Sequence, residues 1–335
     1  MNIREVIEEK EYSALSPCAA RARETKGRDK EEEKCEVRTE YQRDRDRILH
    51  SRSFRRLKDK TQVFISPQGD HYRTRLTHTL EVSQIARTIA RALSLNEDLT
   101  EAISLGHDLG HTPFGHQGEY VLNRLSPYGF VHAEQSVRVV EILEKDGEGL
   151  NLTWEVRDGI RNHRTSGKPV TLEAQTVRLA DKIAYIHHDC DDAKHAGIIT
   201  EEDVPIDLRL MMGETCRQRL NTMIIDVIDN SLGKPEVAMT EKMYAGMMTL
   251  RKFMFDNIYS KGVAKVENEK VERLLSALYA YYSEHPMDMS AEYQQLMIRG
   301  EPKEKVVCDY ISGMSDLYAI HIIDELYEPH GWTVY

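Results

Sequence analysis

Residues 106–119, with the sequence GHDLGHTPFGHQGE, gather side chains that bind metal ions or move protons: His107, Asp108, His111, His116 and Glu119. Imidazole is a common metal ligand and exchanges protons near neutral pH, and an adjacent carboxylate raises its basicity. Glycines and a proline in the same stretch interrupt helices. The stretch therefore predicts a functional site at a break between helices.

A metal site could form from His107 and Asp108 if other helices supply more ligands. His78 lies one turn into the preceding predicted helix, and Asp181 lies in the later sequence RLADKIAYIHHD. Two imidazoles and two carboxylates suit a divalent transition metal such as Mn, Fe, Ni, Co or Zn, and leave room for water or a phosphate oxygen. For each residue alone, the alternative is an ordinary hydrogen-bonded or surface side chain.

Helical periodicity dominates the chain from residue 75 onward. Leu76, Leu80, Ile85, Ile89 and Leu93 recur at spacings of four or five, which predicts an amphipathic helix of about twenty residues. We see no alternation of strands and helices, no internal repeat and no low-complexity tract. The sequence therefore predicts an all-α fold.

The next helix is predicted to begin at the cap residue Asn96 and to end at Gly110. Pro113 and Gly115 make a break, and a new helix starts at His116. Before these helices, TQVFIS predicts a short extended piece and PQGDHY a loop.

Composition narrows the class of protein. The chain has 335 residues, is 40% apolar and carries a net charge of −11, which disfavours a broad nucleic-acid-binding surface. Its five scattered cysteines form no C-x-x-C pair, which indicates a reduced, intracellular protein without a cysteine zinc site. The N-terminus lacks a signal-peptide core, and no apolar run approaches a membrane span. We expect a cytoplasmic protein with no membrane partner.

Three motifs together carry a resemblance to a known family. RLTHTLEV, GHDLGHTPFGHQGE and RLADKIAYIHHD resemble the HD-domain superfamily, most of all its deoxynucleoside triphosphate (dNTP) triphosphohydrolase branch, the deoxyguanosine triphosphate triphosphohydrolase-like proteins of bacteria. SRSFRRLKDKTQVF is similar to an N-terminal signature of that branch. The resemblance covers roughly residues 40–195 and is vague after about residue 200.

The resemblance implies an HD-domain helical fold with few or no short strands. We expect a charged N-terminal arm at 1–40, solvated or partly disordered over residues 19–40, and an HD phosphohydrolase core at 41–200. Residues 201–335 would form a helical part packed on that core, as the same domain or a subdomain.

The resemblance also implies an activity and a ligand set. His78, His107, Asp108 and Asp181 would be the metal ligands. The family hydrolyses a dNTP, such as dGTP, between the sugar oxygen and the α-phosphorus, releasing a deoxynucleoside and inorganic triphosphate. Mg²⁺ would arrive with the nucleotide.

Several residues match the family's substrate contacts. Arg75 is similar to the arginine that holds an α-phosphate oxygen, and Lys182 to a phosphate-binding lysine of the animal members. Tyr185 would lie under the deoxyribose and exclude a 2′-hydroxyl, while Asp189 would bind the 3′-hydroxyl. Gln62 could touch the sugar or base. The alternatives are solvent-facing charges, a half-buried aromatic ring and a surface acid.

Four residues match the family's proton-transfer and phosphate groups. His116 and Glu119, spaced i, i+3 on one helix, would act together in acid/base steps. His111 would bind phosphate or water, and His132 would donate a proton to the leaving group. Glu119 could instead only stabilise a helix start, and His132 could be a capping or core histidine.

Other functions stay open at this point. An HD phosphohydrolase acting on a nucleoside monophosphate or a guanosine alarmone is one alternative, and a non-catalytic nucleotide- or DNA-binding HD protein is another. The basic cluster Arg52, Arg55, Arg56, Lys58 and Lys60 could line the phosphate end, bind single-stranded DNA or an effector nucleotide, or form a solvated helix face. The family commonly forms homo-oligomers, many of them controlled by dNTPs at subunit interfaces.

Overall fold

The computed structural model describes residues 1–62, 73–259 and 263–328. Within these ranges the regular structure is helical, and the extended pairing consists of an isolated bridge between Thr61 and Thr74. The all-α prediction is therefore confirmed. Most of the predicted extended piece TQVFIS, and the whole of the predicted loop PQGDHY, lie outside the described residues.

The α-helices of the described residues are numbered in chain order. They are α1 (Ile3–Ala14), α2 (Glu40–Leu49), α3 (Arg52–Arg56), α4 (Arg75–Ala92), α5 (Glu97–Gly106), α6 (Gly115–Leu125), α7 (His132–Arg138), α8 (Trp154–Arg161), α9 (Leu172–His195), α10 (Ile206–Met212), α11 (Cys216–Ser231), α12 (Glu241–Met254), α13 (Val263–Glu284), α14 (Ala291–Ile298), α15 (Lys303–Ser312) and α16 (Asp316–Tyr327).

Helices α4, α5 and α9 pack together at the centre of the larger apolar core. Thr74 begins α4 with a capping box, and Asn96 caps α5 through its side chain as predicted. The buried face of α4 contains Val82, Ile85 and Ile89, whereas Leu80 is 49% exposed. The predicted apolar stripe was wrong at Leu80 because the face toward α5 and α9 includes Val82 instead.

Helix α5 ends at Gly106, four residues earlier than predicted. The chain then makes a turn through residues 107–114 before α6 begins at Gly115. This early end places His107 at the C-cap of α5 and Asp108 in the turn that follows.

The charged N-terminal segment is anchored to the core. Residues Ile3–Ala14 are helical, and Arg28 forms a buried ion pair with Asp44. The Glu155 carboxylate accepts a hydrogen bond from the backbone N–H of Lys26 at 2.7 Å. The prediction of a solvated or partly disordered segment over residues 19–40 is therefore wrong at Lys26 and Arg28, because carboxylates of the core bind them, although much of the segment's surface is exposed.

A second apolar cluster joins the C-terminal helices α13–α16 to α6. Val121 and Leu122 of α6 pack there with Leu275, Leu278 and other residues of the later helices. Helices α11 and α12 instead pack on α9 in the larger core. The C-terminal third therefore packs on α6 through helices α13–α16 and on α9 through helices α11 and α12.

Among the described helices, none is on its own long and apolar enough to cross a membrane. The pair α15 and α16 would pass by length and composition only if taken together, and the two helices meet at a bend of 116°.

Candidate metal centre and active site

Four predicted ligands meet where α4, the turn after α5, and α9 come together. The Nε2 atom of His78 lies 3.2 Å from Oδ1 of Asp181, and Nε2 of His107 lies 3.7 Å from the same oxygen. The distance from Nε2 of His107 to Oδ2 of Asp108 is 3.5 Å. His78, His107 and Asp108 each offer a ligand atom within 4.8 Å of the others. The structure thus brings the quartet together.

The hydrogen bonds of His107 leave one ring nitrogen ready for a cation. Its Nδ1 lies 2.7 Å from the carbonyl oxygen of Ser104, so Nδ1–H donates and Nε2 keeps its lone pair. That Nε2 is buried and has no hydrogen-bond partner among the described residues. A buried nitrogen lone pair facing two carboxylates fits a divalent metal, because no proton donor fills the space between them.

His78 is oriented by a chain of two more side chains. Its Nδ1 lies 3.4 Å from Nδ1 of His188, whose Nε2 contacts the Glu81 carboxylate. If Nε2–H of His188 donates to Glu81, its Nδ1 accepts from Nδ1–H of His78. The Nε2 of His78 then carries the lone pair that faces Asp181. Metal-bound histidines commonly have such an outer partner, which fixes their tautomer.

Arg75 is buried beside the same quartet. Its guanidinium forms an ion pair with Asp108 and donates to the carbonyl oxygen of Thr61 at 3.2 Å. Burial raises the pKa of Asp108, but His107 and Arg75 outweigh it and hold that pKa well below its ordinary value. Asp108 is therefore ionised at neutral pH, as a metal ligand would need to be.

The turn between α5 and α6 needs glycine for two different reasons. Phe114 and Gly115 both have positive φ, of 60° and 59°. At Gly115 a Cβ atom would lie 3.2 Å from the carbonyl oxygen of Gln62, on a backbone that side chains rarely adopt. At Gly110 a Cβ atom would lie 2.2 Å from the backbone nitrogen of Ser136, so α7 can approach only a glycine.

C-terminal residues hold this turn in place. Asp316, at the start of α16, accepts from the backbone N–H of Phe114 and of Thr61, each at 2.9 Å. The buried Lys60 ammonium donates to the carbonyl oxygens of His111 at 2.6 Å and Ser312 at 2.7 Å. The functional turn is therefore positioned from both ends of the chain.

A second polar cluster lies along the same turn and contains His111, His116, Glu119 and His132. Glu119 contacts Nδ1 of His116 at 3.4 Å, as the i, i+3 spacing predicted. It lies closer to Nδ1 of His132, at 2.9 Å, and also accepts from the backbone N–H of His132 at 3.0 Å. His116 is largely exposed, whereas His132 is buried. Glu119 therefore orients His132 more firmly than His116.

His163, which the sequence analysis did not single out, extends this cluster toward the metal quartet. Its Nε2 lies 3.1 Å from Nε2 of His132 and 4.0 Å from Oδ1 of Asp108. Its Nδ1–H donates to the carbonyl oxygen of Ile160 at 2.7 Å, so its Nε2 is the acceptor. Burial lowers the pKa of His163 to about 4, which keeps it neutral.

The network gives His132 two hydrogen-bond acceptors. Glu119 is ionised, because its hydrogen bonds from His116 and His132 outweigh burial and hold its pKa well below the ordinary value. Glu119 contacts one ring nitrogen of His132, and His163 contacts the other.

His111 stacks on His132 with ring centroids 4.8 Å apart. Both of its ring nitrogens are buried and have no hydrogen-bond partner among the described residues. Burial lowers the pKa of His111 well below its usual value. A buried neutral imidazole with two unused polar atoms is suited to bind water or a phosphate oxygen.

The predicted substrate residues lie on two sides of the quartet. Asp181, Tyr185 and Asp189 all belong to α9, and the Tyr185 ring lies 6.5 Å from the His116 ring. Asp189 is buried. Gln62 is also buried next to Gly115 and Arg75, and its side-chain Oε1 has no hydrogen-bond partner among the described residues.

Lys182 is half-buried beside other positive side chains. Burial and the nearby guanidiniums of Arg178 and Arg251 together lower its pKa to about 8. Arg178 and Lys182 are spaced i, i+4 on α9, and Arg251 comes from α12. A group of three cations next to Asp181 favours an anionic ligand on this side of the quartet.

The basic cluster of α3 does not act as one surface. The Lys60 ammonium is used by two backbone carbonyls. Arg52, Arg55, Arg56 and Lys58 line a separate cleft together with tyrosines of the C-terminal helices. The alternative in which the whole cluster lines the phosphate end is therefore wrong for Lys60, because its buried Nζ is held by the carbonyl oxygens of His111 and Ser312.

The sequence around His163 and His188 gave little indication that these two histidines belong to the site. His163 follows α8 in the sequence RNHRTSGK, and His188 is the residue before Asp189 on α9. Both act through long-range contacts with His132 and His78. The available signal was the unusual number of histidines in an acidic chain, 14 in all.

Comparisons with known proteins agree with this geometry. The model of the HD domain matches residues 75–186, and the phosphohydrolase-associated domain matches residues 237–325. The first match spans His78, His107, Asp108 and Asp181, and the second covers the helices that hold the functional turn. The chain is a metal-dependent phosphohydrolase of the HD type.

Close relatives identify the family within this class. A deoxyguanosinetriphosphate triphosphohydrolase-like protein of Caldanaerobacter subterraneus is 58% identical over 99% of this chain and 98% of the relative. One from Desulfatibacillum aliphaticivorans is 47% identical over 98% of this chain and 99% of the relative. A solved structure of a hypothetical protein from Aquifex aeolicus aligns with a TM-score of 0.48 and 21% identity, over 85% of this chain and 68% of that one. The chain belongs to the deoxyguanosinetriphosphate triphosphohydrolase-like family.

Proposed function

We propose that this protein hydrolyses deoxynucleoside triphosphates, dGTP among them, to a deoxynucleoside and inorganic triphosphate. One observation carries the proposal: the metal quartet and the hydrogen-bond network around His132 share the segment of residues 106–119. Residues 106–119 supply two side chains of the metal quartet and, through Glu119, the carboxylate that orients His132. His163 links the two networks. The names of the close relatives support this substrate class.

We assign the metal quartet to His78, His107, Asp108 and Asp181. A divalent ion held there would supply a Lewis acid for a phosphate oxygen and a lower pKa for a water molecule. Two histidines and two carboxylates accept Mn, Fe, Ni, Co or Zn, and Mg²⁺ would accompany the nucleotide. His188 and Glu81 would fix the tautomer of His78 in every one of these cases.

We assign the phosphate contacts to cationic and neutral donors around the quartet. Arg75 keeps Asp108 ionised and presents its guanidinium beside the ion. Lys182, with Arg178 and Arg251 nearby, would bind the triphosphate charge. His111 would bind a phosphate oxygen or the attacking water with its two unused ring nitrogens.

We assign the leaving-group proton to His132. Water attacks the α-phosphorus, the bond from phosphorus to the 5′-oxygen of the sugar breaks, and that oxygen must gain a proton. Glu119 contacts Nδ1 of His132, and Nε2 of His132 would exchange its contact with His163 for the leaving oxygen. His116, which is exposed and less closely held, would serve as a secondary proton or phosphate contact.

The sugar side would select deoxyribose. Tyr185 and Asp189 lie one and two turns beyond Asp181 on α9. Tyr185 would lie under the deoxyribose and exclude a 2′-hydroxyl, Asp189 would bind the 3′-hydroxyl, and Gln62 would touch the sugar or base. A dNTP effector, single-stranded DNA and a homo-oligomer remain predictions from the family resemblance.

The test is a product analysis with matched substrates. Metal-loaded protein is incubated with each dNTP and with GTP, singly and mixed, and products are separated by ion-pair chromatography. Deoxynucleoside and triphosphate, absent with Asp108→Ala, would support the proposal. Failure to form them under every metal and mixture, while the quartet still binds a metal ion, would sink it and favour a monophosphate or alarmone substrate.

A further inference from the structure

Two cysteines far apart in sequence meet outside the metal quartet. Cys190 lies on α9 and Cys216 is the first residue of α11, and their sulfur atoms are 2.9 Å apart. Both residues are buried and neither is in a disulfide. The cysteines are scattered along the sequence as expected, but Cys190 and Cys216 come together in the fold.

A buried guanidinium lies against both sulfurs. The Nη2 atom of Arg219 is 3.2 Å from Sγ of Cys216 and 3.5 Å from Sγ of Cys190. The same nitrogen donates to Oε2 of Glu201 at 2.6 Å. Oε1 of Glu201 accepts from the Lys194 ammonium, also at 2.6 Å. Arg219 itself is 2% exposed.

Together with the two cysteines, the charges of Arg219, Lys194 and Glu201 sum to zero only when one of the cysteines is a thiolate. Arg219 and Lys194 bring two positive charges and Glu201 brings one negative charge, so ionisation of one thiol neutralises the group. The hydrogen bond donated by Cys216, together with Arg219, lowers the pKa of Cys190. The same contact raises the pKa of Cys216. With the Cys216 S–H donating to Cys190, we assign the thiolate to Cys190 and the thiol to Cys216.

A metal ion is a weaker occupant of this group. Cys190, Cys216 and Glu201 could offer three ligand atoms. The Arg219 guanidinium already contacts all three side chains and supplies the positive charge that a cation would bring. A permanently charged donor in that position stabilises a reactive thiolate and repels a cation.

We propose that Cys190 and Cys216 form an oxidation-sensitive dithiol that closes reversibly to a disulfide. The oxidant is a small peroxide. The Cys190 thiolate attacks one peroxide oxygen, the O–O bond breaks, and Cys190 becomes a sulfenic acid. The Cys216 sulfur then attacks Cys190, and the sulfenic oxygen leaves as water. Two thiols lose two electrons in total, and one hydrogen peroxide is reduced to two water molecules.

The geometry permits the bond with a small movement. A disulfide requires the sulfurs to lie about 2.05 Å apart, so they must approach by less than about 1 Å. Closure would tie the later turns of α9 to the start of α11. Asp189, assigned above to the sugar, is the residue before Cys190. The inference does not depend on the proposed substrate, because it concerns thiol chemistry alone.

The experiment uses the full chain in a background that removes the other accessible thiols. Cys18 is exposed, and hydrogen bonds from backbone N–H groups lower the pKa of Cys35 to about 7, so both would compete for peroxide. The Cys18→Ser, Cys35→Ser double variant is treated with hydrogen peroxide, and its intact mass and non-reduced peptides are measured. We expect loss of two hydrogens, a Cys190–Cys216 linked peptide, and full reversal by dithiothreitol.

Single variants separate the two roles. Cys216→Ser should hold Cys190 as a sulfenic acid that dimedone labels, while Cys190→Ser should give at least tenfold less labelling of Cys216. Thiol alkylation followed by peptide mapping measures the oxidation of Cys190 and Cys216 in the wild-type chain, without any variant. Failure to form the linked peptide, labelling of Cys216 in preference to Cys190, or a zinc ion retained by the two thiols would overturn the proposal.

Discussion

Oε2 of Glu119 lies 2.9 Å from Nδ1 of His132, closer than its 3.4 Å approach to Nδ1 of His116. The carboxylate that the sequence pairs with His116 therefore belongs chiefly to His132. Since His132 also contacts His163, both of its ring nitrogens have a polar partner.

This relationship predicts unequal effects of two histidine substitutions. His132→Ala should lower kcat for dNTP hydrolysis by about 10²- to 10⁴-fold, because the leaving oxygen loses its proton donor. His116→Ala should lower kcat less. Steady-state kinetics on both variants, with circular dichroism as the folding control, measures the difference. A larger loss in His116→Ala would show that Glu119 works through His116 instead.

The second prediction concerns the chain from Glu81 through His188 to His78. His188→Ala should weaken metal binding about 10- to 100-fold, because His78 loses the partner that fixes its tautomer. Isothermal titration of the metal-free protein with Mn²⁺ measures the affinity. His187→Ala is the matched control on the same helix and should bind Mn²⁺ as the wild type does. Equal affinity in all three proteins would contradict the role of His188.

A third prediction concerns the attachment of α16 to the functional turn. Asp316→Ala should lower the free energy of unfolding by about 2–4 kcal/mol, because the buried N–H groups of Thr61 and Phe114 lose their acceptor. Urea denaturation measures the loss. Asp324→Ala, an exposed acid on the same helix, should stay within about 0.5 kcal/mol of wild type. Similar stabilities of the two variants would refute the attachment.

The fourth prediction concerns sugar selection on α9. Tyr185→Ala should reduce the preference of kcat/KM for dGTP over GTP by about 10- to 200-fold, because space opens for a 2′-hydroxyl. Competition between the two nucleotides in one reaction measures the ratio directly. Tyr120→Ala removes an exposed ring on α6 and should leave the ratio unchanged. An unchanged ratio in Tyr185→Ala would assign selection to another residue.

Sequence patterns predicted the parts of this protein that depend on local chemistry. Periodicity gave the helical class, Asn96 was correctly placed as a cap, and the four proposed ligands came together as their order along three predicted segments suggested. These features depend on spacing within one helix or on a short motif.

Contacts between distant residues could not be predicted in the same way. Asp316 is 202 positions from Phe114, and Cys190 meets Cys216 only because α9 packs against α11. The anchoring of the N-terminal segment depends on buried carboxylates such as Asp44, which resemble surface charges in the sequence. Such pairings are set by tertiary packing, which the local patterns of a single sequence do not reveal.

The central claim is that water attacks the α-phosphorus of a dNTP at this site. The most direct measurement is a single turnover of dGTP in water enriched in ¹⁸O, with mass spectrometry of both products. The account predicts one ¹⁸O atom in the inorganic triphosphate and none in the deoxyguanosine. Label in deoxyguanosine, or release of phosphate or pyrophosphate in place of triphosphate, would contradict it.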